Sequence, residues 1–479
     1  MADFQADTYL KEASKLLGVE NKEFDERMRL DKEFRKSVGK VLTNPPKESA
    51  EEIFSRRGQA KEFIRRQPLF YDKSGLWWIW DFKKSCWEKT DEVEILNRIE
   101  KNLRIDVINS KAKSEVITSL QLEGRKNLPE KIKPTLIQFK NGIIDVENPE
   151  GIFVPNPSLF VTNPIPWNIS DSEVTPTMDR IFKEWVGEDY VKTLYEIIAY
   201  CLIPDYPIHR IFCFVGSGLN GKSKFLELLR RFIGDYNVTC TELDVLLNSR
   251  FEITRLHKKL VAQMGETNFN EMNKTSILKK LSGGDLIGFE YKRKDPFEDK
   301  NYAKILISTN NLPTTTDKTI GFYRRWLIID FPNRFTEKKE ILSEIPTKEY
   351  ENLARKSIKI LNELLIKREF HLEGTIEERM DRFESKSNPF DKFWNLNIEE
   401  DFEGYISKRK FYDVLNQWCK ENGFRMLSET TISKHMKEKG VYDSRKTMDW
   451  IDSSRNEKPR YMVWQGIKFI TNKTEVNTC

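Results

Sequence analysis

The chain has 479 residues, 38% of them hydrophobic, and its 80 Lys and Arg against 75 Asp and Glu leave a net charge of only +5. This length predicts several domains with cores of their own, and so small a charge excludes nucleic-acid binding through a bulk positive field, which leaves local basic clusters. The scattered cysteines and histidines argue against a zinc site or a disulfide framework, and the lack of a long apolar run argues against a membrane segment or a secretion signal, so we expect a cytoplasmic protein.

In the first third of the chain, the amino-acid composition changes near residue 67. Residues 1 to about 65 are charged and poor in glycine, which predicts helices, and residues 50–66 carry Ile53, Phe54, Phe63 and Ile64 on one face. From 68 to about 168 the sequence is aromatic and rich in Asn, Gly and Pro turns, which predicts short strands. Five tryptophans in this stretch could stack on bases, but the core of a small domain is the favoured interpretation: Trp77, Trp78, Trp80, Trp87 and Trp167.

A strand, a glycine-rich loop and a helix follow a helical stretch at 178–200. The apolar run 211–215 leads to GSGLNGKS at 216–223, and helical periodicity resumes at Phe225. Glycines in such a loop let successive N–H groups point at phosphate oxygens, and the helix dipole adds positive potential. Lys222 would reach the β and γ phosphates of ATP, and Ser223 would ligate Mg²⁺. The predicted cofactor-binding residues are Gly216, Ser217, Gly218, Leu219, Asn220, Gly221, Lys222 and Ser223.

Residues 201–335 alternate strand and helix patterns, which predicts a largely parallel sheet covered by helices. The strand predicted at 259–264, which we expect beside the loop's strand, ends at Gly265 and Glu266, and Glu266 would hold the Mg²⁺ shell and polarise the attacking water. The strand predicted at 304–308 ends at Asn310, whose amide would orient that water. The alternative is that Asn310 and Asn311 are only turn residues before a proline.

Two adjacent arginines, Arg324 and Arg325, precede the strand predicted at 326–331. They could simply solvate the edge of the sheet. The alternative is an arginine finger that reaches the γ-phosphate of a neighbouring subunit. Because neighbouring residues alternate along a strand, one arginine would point outward and the other inward.

The sequence pattern of the C-terminal part of the chain predicts a helical tail at 346–385, a linker at 385–391 and then a small separate unit. That unit combines a helix at 408–422, a helix at 428–439 capped by Ser428, and extended pieces that end at 461–469. Helices followed by a basic strand pair indicate a winged helix. Such units bind DNA or dock proteins, and both interpretations stay open.

The motifs, in the order GSGLNGKS, KLVAQMGE, LKKLSGGD, KILISTNNLP and FYRRWLIIDF, resemble superfamily 3 helicases, specifically the helicase half of phage, plasmid and poxvirus-type primase-helicases. The resemblance extends over roughly residues 68–479. It implies an α/β fold with an AAA+ P-loop ATPase core of superfamily 3 type, an N-terminal helical and α+β region and a C-terminal winged-helix domain. The implied divisions are 1–67, 68–195, 196–340, 341–388 and 389–479.

The resemblance also implies a homo-hexameric ring that binds ATP between subunits and moves on single-stranded and forked DNA. Carried onto this sequence, Lys222 and Ser223 are phosphate-loop residues, Glu266 the acidic motif, Asn310 the sensor, and Arg324 or Arg325 the finger supplied in trans. Residues 288–300 match a hairpin in the ring channel, where Lys292, Arg293 and Lys294 would follow the DNA backbone; a solvated charged turn is the alternative. Gly265 departs from many relatives, which carry a polar or acidic residue there.

Residues 1–140 show no primase signature, so priming is absent or resides on another chain. We therefore expect an ATP-dependent, ring-forming replicative DNA helicase encoded by a virus or a mobile element. Two other hypotheses remain: an origin-binding initiator that uses ATP as an assembly switch, and an ATP-dependent scaffold for a separate primase or polymerase that would be bound through the charged N-terminal arm.

Overall fold

The computed structural model describes residues 56–103, 110–265, 271–272, 274–336, 340–421, 424, 426–447 and 460–470. These residues fall into two compact units, the first running to Trp80 and continuing through Glu88–Leu128, the second combining Asp81–Trp87 with the chain from Pro129 onward. The first seven elements are α1 (Arg56–Arg66), β1 (Leu69–Tyr71), β2 (Trp77–Asp81), β3 (Cys86–Thr90), α2 (Glu92–Leu103), α3 (Ser110–Gly124) and β4 (Glu130–Lys131).

The tryptophans of the turn-rich segment are mainly core residues. Trp77, Trp78, Trp80 and Trp87 are each at most 3% exposed, and Trp77 packs with Phe63, Leu69 and the helices of the first unit. This confirms the core interpretation for these four. Trp167 is half-buried and stacks on Tyr350 with the ring centres 4.5 Å apart.

A short sheet and two helices precede the glycine-rich loop. Strands β5 and β6 pair antiparallel, β6 pairs with β7, and β4 pairs with β8. The helical stretch predicted at 178–200 is two helices, because Gly187 at φ 78° ends the first. The bounds are β5 (Leu136–Phe139), β6 (Gly142–Asp145), β7 (Ile152–Phe153), β8 (Leu159–Phe160), α4 (Pro176–Val186) and α5 (Val191–Tyr200).

Five strands of the described chain form one parallel sheet in the order β10-β11-β15-β9-β17, which we name the central sheet. Apolar clusters cover both of its faces, as the alternating pattern predicted. The strands are β9 (Ile211–Val215), β10 (Val238–Thr241), β11 (Val261–Met264), β15 (Lys304–Thr309) and β17 (Trp326–Asp330). Between them lie α6 (Lys222–Ile233), α7 (Leu243–Asn248), α8 (Arg250–Ile253), β12 (Glu271–Met272), α9 (Thr275–Leu281), β13 (Leu286–Phe289), β14 (Phe297–Lys300), β16 (Thr314–Thr315) and α10 (Ile320–Tyr323).

The chain after β17 is helical and then forms a small antiparallel sheet in the order β18-β20-β19 over its own apolar cluster. The linker predicted at 385–391 is wrong, since α12 runs to Ser387 and α13 begins at Pro389. The Asn388 side chain accepts hydrogen bonds from the N–H groups of Phe390 and Asp391, so SNP is a helix start. The elements are α11 (Thr347–Lys367), α12 (Ile376–Ser387), α13 (Pro389–Asn397), β18 (Ile398–Ser407), α14 (Lys408–Glu421), α15 (Glu429–Glu438), β19 (Asp443–Thr447) and β20 (Arg460–Phe469).

The cap predicted at Ser428 is confirmed, because its Oγ accepts from the N–H of Thr431. Ile432, Met436 and Val441 are buried, and His435 is partly covered and stacks on Phe390. None of the helices in the described ranges is long and apolar enough to span a membrane.

A fully buried lysine joins the start of β15 to the turn after α5. The Lys304 ammonium donates to the carbonyls of Ile203, Asp205 at 2.7 Å and Tyr302 at 3.0 Å. Its complete burial lowers the pKa of Lys304 to about 7, against an ordinary value of about 10.4 in the unfolded chain. The folded state therefore binds this proton more weakly than the unfolded state does.

We expect this lysine to make stability rise with pH between about 7 and 10. In that window the unfolded chain keeps the proton and the folded chain loses it, so the free energy of unfolding should increase by about 2 kcal/mol from pH 7 to 9. Lys304→Met removes the titration. Urea unfolding at both pH values should show a smaller increase for Lys304→Met than for the wild type, and equal increases would contradict the assignment.

Candidate functional site

The residues between β9 and α6, named here the glycine loop (216–221), fold as a cradle that needs its glycines. A Cβ atom at Gly216 would lie 1.9 Å from Asn220 Nδ2 and 2.7 Å from the carbonyl oxygen of Phe331. Gly221 has φ 96° and is the N-cap residue of α6. Loops that turn backbone N–H groups inward at a helix N-terminus fit a phosphate group, so the residues present fit the predicted nucleotide.

The side chain of Lys222 lies inside this cradle and is only 5% exposed. Its ammonium donates to the carbonyl oxygen of Gly216, to Asn220 Oδ1 at 3.2 Å and to Asn310 Oδ1 at 3.4 Å. The fold thus brings together two residues singled out in the sequence, Lys222 and Asn310. Such oxygens are acceptors of the kind that a phosphate offers to an ammonium group.

Gly221 and Gly218 give a matched test of this packing. A Cβ at Gly221 would lie 2.4 Å from Trp185 Cδ1, whereas one at Gly218, with a similar φ of 94°, meets nothing within 4 Å. We expect Gly221→Ala to lower the free energy of unfolding by about 3 kcal/mol and Gly218→Ala by about 1 kcal/mol, because only the first adds a clash to the backbone strain. Urea unfolding measures both; equal losses would contradict the packing.

Of the two predicted Mg²⁺ ligands, Ser223 and Glu266, the described residues include only Ser223. Ser223 is exposed in the first turn of α6, at the mouth of the glycine loop. Glu266 lies outside the described residues, and Gly265 before it is exposed. The expectation that the strand before Glu266 neighbours the loop's strand is wrong, because β15 inserts between β11 and β9. Asn310, rather than Gly265, therefore follows the strand beside the glycine loop.

A charged group that the sequence reasoning missed lies at the same end of the sheet. Asp330 pairs in register with Val215, the residue before the glycine loop. Its carboxylate contacts Lys386 at 2.7 Å and Arg382 at 3.1 Å, both on α12. Burial opposes ionisation, but these two cations lower the pKa of Asp330 from its ordinary value. No local pattern in the sequence joins residues this far apart.

The two arginines before β17 differ in their surroundings. Arg325 is 7% exposed and donates to Ser282 Oγ at 3.2 Å, to the Lys279 carbonyl at 3.4 Å and to the carbonyl of Gly321. Burial and then the charge of Arg324 lower the pKa of Arg325. Arg324 is half-buried and lies 3.4 Å from Nδ1 of His209. Arg325 therefore ties α9 to α10, and Arg324 is the more accessible of the two.

Both arginines lie far from the glycine loop of their own chain. β17 runs parallel to β9 with Trp326 opposite Ile211 and Asp330 opposite Val215, so the arginines precede the amino edge of the central sheet and the loop follows the carboxyl edge. At about 3.3 Å per residue, the five residues of the strand separate the two edges by roughly 16 Å. Arg324 is thus held away from the glycine loop of its own chain.

The basic segment forms a hairpin, named here the basic hairpin (286–300). β13 and β14 pair antiparallel, and Lys292, Arg293 and Lys294 are exposed in the turn between them. The Lys294 N–H closes the turn on the Tyr291 carbonyl at 3.1 Å, and Arg293 adopts φ 64°. The predicted pair of extended pieces is confirmed.

A histidine that no sequence motif identified anchors the base of this hairpin. His257 is 3% exposed, and its Nδ1 lies 3.0 Å from the Tyr291 hydroxyl and its Nε2 3.2 Å from Asp299 Oδ2. Burial opposes it, but hydrogen bonds and charge from His257 and Lys258 hold the pKa of Asp299 well below its usual range. His257 therefore ties β14 and the turn of the hairpin to the segment before β11.

Fold and site together define a mixed α/β protein whose glycine loop follows the second strand from one edge of a parallel sheet. Residues 214–325 match a family described as a family of unknown function (DUF5906). A protein of Acanthamoeba polyphaga mimivirus named "Putative helicase L207/L206" is 26% identical over 221 residues, which is 43% of this chain and 22% of that relative. The chain thus spans less than a quarter of the length of this viral relative.

Solved structures resemble the chain over most of its length. The match with the apo structure of the NrS-1 C terminal region (305–718) covers 86% of this chain and 99% of the chain in that structure, with 13% sequence identity and a TM-score of 0.47. An A form of the same apo region covers 85% of this chain with a TM-score of 0.46.

Proposed function

We propose that this protein is an ATP-dependent, ring-forming DNA helicase that acts in the replication of a virus or mobile element. The observation that carries the proposal is the convergence of Lys222 and Asn310 at the carboxyl edge of the central sheet. The strand order, with β15 between β9 and β11, supports an AAA+ core of superfamily 3 type. The similarity to a viral protein named as a helicase supports the same class.

In this proposal the glycine loop and Lys222 hold the triphosphate of ATP, while Ser223 and Glu266 hold Mg²⁺. The metal supplies charge neutralisation on the phosphates. The Asn310 amide oxygen accepts a hydrogen bond from Lys222, and Asn310 would orient the attacking water beside the γ-phosphate. Arg324 completes the site of the neighbouring subunit, because the sheet holds it about 16 Å from its own loop.

We propose that the basic hairpin holds single-stranded DNA. Lys292→Ala combined with Arg293→Ala and Lys294→Ala should lower affinity for oligothymidylate and reduce the slope of log affinity against log salt by about 2, since each neutralised phosphate contributes about 0.7. Fluorescence anisotropy over a salt series measures both. The control is Lys348→Ala with Lys359→Ala, two exposed lysines of α11; an equal slope in both variants would argue for a merely solvated turn.

The C-terminal elements support a second candidate. The order helix, strand, helix, helix, strand, strand from α13 to β20, with the sheet order β18-β20-β19, supports a winged helix. Lys434 and Lys437 are exposed on α15, and Lys439 is exposed at its C-terminal cap. A winged helix that marks an origin would favour an initiator whose ATPase serves only assembly.

Strand displacement on a forked duplex separates these two functions. The helicase proposal expects ATP-dependent displacement by the full chain and none by Lys222→Ala. An initiator would bind and hydrolyse ATP but leave the fork paired. Negative-stain images of the same sample, taken with Mg²⁺ and nucleotide, should contain six-fold rings.

A further inference from the structure

Two side chains meet at the amino edge of the central sheet, at the opposite end from the glycine loop. Ile211 of β9 pairs with Trp326 of β17, and the Ile211 N–H donates to the carbonyl of Arg325 at 2.6 Å. His209 and Arg324 each come two residues before this pair. The pairing of the two backbones thus brings Nδ1 of His209 to 3.4 Å from a terminal nitrogen of Arg324.

This contact defines the protonation of the histidine. A guanidinium group carries only donors and stays charged, so Nδ1 of His209 presents its lone pair to Arg324. The ring is then neutral, with its proton on Nε2. Burial and then the charge of Arg324 lower the pKa of His209 below its ordinary value of about 6.5. Arg325 and Arg210 act in the same direction and Asp285 acts against it.

The backbone of His209 is itself held in place. The Arg210 guanidinium donates to the His209 carbonyl oxygen at 3.2 Å and to the Glu373 carboxylate at 2.6 and 3.0 Å. Glu373 is buried and also accepts from Arg379 of α12 at 2.8 Å. A ring anchored in this way can restrict a long arginine side chain, which would otherwise sample many rotamers.

We propose that His209 is a positioning residue for Arg324, whose guanidinium it holds, through the hydrogen bond to its neutral ring, in the orientation that reaches the γ-phosphate on the neighbouring subunit. This inference rests on the proposed shared ATP site. A group that acts on a transition state must be oriented before the reaction, and a misplacement of about 1 Å can cost about 100-fold in rate. Because His209 lies at the amino edge, its replacement should leave ATP binding at its own glycine loop intact.

The first measurement is steady-state ATP hydrolysis by the full chain. His209→Leu removes the acceptor and should lower kcat about tenfold, while KM for ATP stays within about twofold. His209→Asn keeps an acceptor near the position of Nδ1 and should retain most of kcat. His371→Leu is the control and should keep the wild-type rate, because the backbone of His371 makes its hydrogen bonds to Glu196 and Thr193. With all variants shown to be folded by thermal unfolding, equal losses in His209→Leu and His209→Asn would overturn the proposal.

Hydrolysis at acid pH separates positioning from a purely structural role. A protonated His209 ring cannot accept from Arg324 and adds positive charge beside it. The charged groups around the ring are Arg210, Arg324, Arg325, Asp285 and Glu373. The rate of His209→Asn relative to wild type should therefore rise as the pH falls from about 8 to about 5. A ratio that stays constant over this range would contradict the role of the neutral ring.

Mixed rings test which half of the shared site contains His209. His209→Leu mixed equally with Lys222→Ala should recover about a quarter of wild-type activity, because an intact loop then meets an intact pair of His209 and Arg324. His209→Leu mixed with Arg324→Ala should not exceed the mean of the two variants alone, since both defects lie in the same half of the site. Recovery in this second mixture would overturn the proposal.

Lys222→Ala mixed with Arg324→Ala tests the shared site by itself. If that mixture never recovers activity, the proposed function fails and this inference falls with it. If that mixture recovers and the His209 variants alone depart from the expected results, only this inference is overturned.

Discussion

Replacing Lys222 with alanine is expected to lower ATP hydrolysis by a factor of about 100 or more. The ammonium sits within hydrogen-bond distance of Gly216, Asn220 and Asn310, where it would meet the charge that develops on the transferred phosphoryl group. Removing one such preorganised contact typically costs two to three orders of magnitude, about 10²–10³ in rate. Steady-state phosphate release measures the effect.

The control for this variant is Lys224→Ala, two residues further along α6. Lys224 is more exposed and pairs with Glu227 at 2.9 Å and Glu340 at 3.0 Å, so its loss should change hydrolysis by less than about twofold. Thermal unfolding of both variants checks that the fold is intact. Full hydrolysis by a folded Lys222→Ala protein would remove the basis for the proposed ATP site.

Arg324→Ala is expected to lower hydrolysis by about 10³-fold, and mixing should rescue it. If Arg324 serves the neighbouring subunit, an Arg324→Ala subunit keeps its glycine loop and a Lys222→Ala subunit keeps its arginine. When the two variants are mixed equally and assemble at random into a ring, about one interface in four has the intact glycine loop of an Arg324→Ala subunit facing the intact arginine of a Lys222→Ala subunit. Co-expressed and co-purified mixtures should regain up to that share of wild-type activity.

Arg325→Ala is the contrasting variant. Its guanidinium is buried against Ser282 and the carbonyls of Lys279 and Gly321, so its removal should cost about 2 kcal/mol or more of folding free energy. Arg324→Ala should unfold at nearly the wild-type temperature. If mixtures that include Arg324→Ala never recover activity while rings still form, the shared-site proposal fails.

The local parts of the site could be predicted from the sequence because local chemistry specifies them. The glycine loop, which lies between an apolar run and a helical pattern, could be predicted from residues 211–233 alone. The hairpin around Lys292 could be predicted from two short extended runs and the turn between them. The same reasoning predicted the strand that ends just before Asn310. Each of these is a contiguous segment whose periodicity determines its structure.

The arrangement in space could not be predicted in the same way. Whether β15 or β11 lies beside β9 depends on contacts between segments far apart in the chain. The burial of Arg325, the pairing of Asp330 with Lys386 and the anchoring of the basic hairpin by His257 all depend on which helices pack together. At Asn388 the local signal was ambiguous, because Asn before Pro is typical both of a turn and of a helix start.

β9 is an interior strand of the central sheet and pairs on both sides with strands that are made after it. Both of its hydrogen-bonding neighbours, β15 and β17, come later in the sequence, so the nascent strand IFCFV has no partner on either side until Thr309 has been made, and one side stays open until Asp330 has been made. Long-range parallel pairing of this kind forms slowly, and an apolar strand with two open sides is prone to aggregate in the meantime. Polypeptides truncated before Asp330 should therefore accumulate in inclusion bodies.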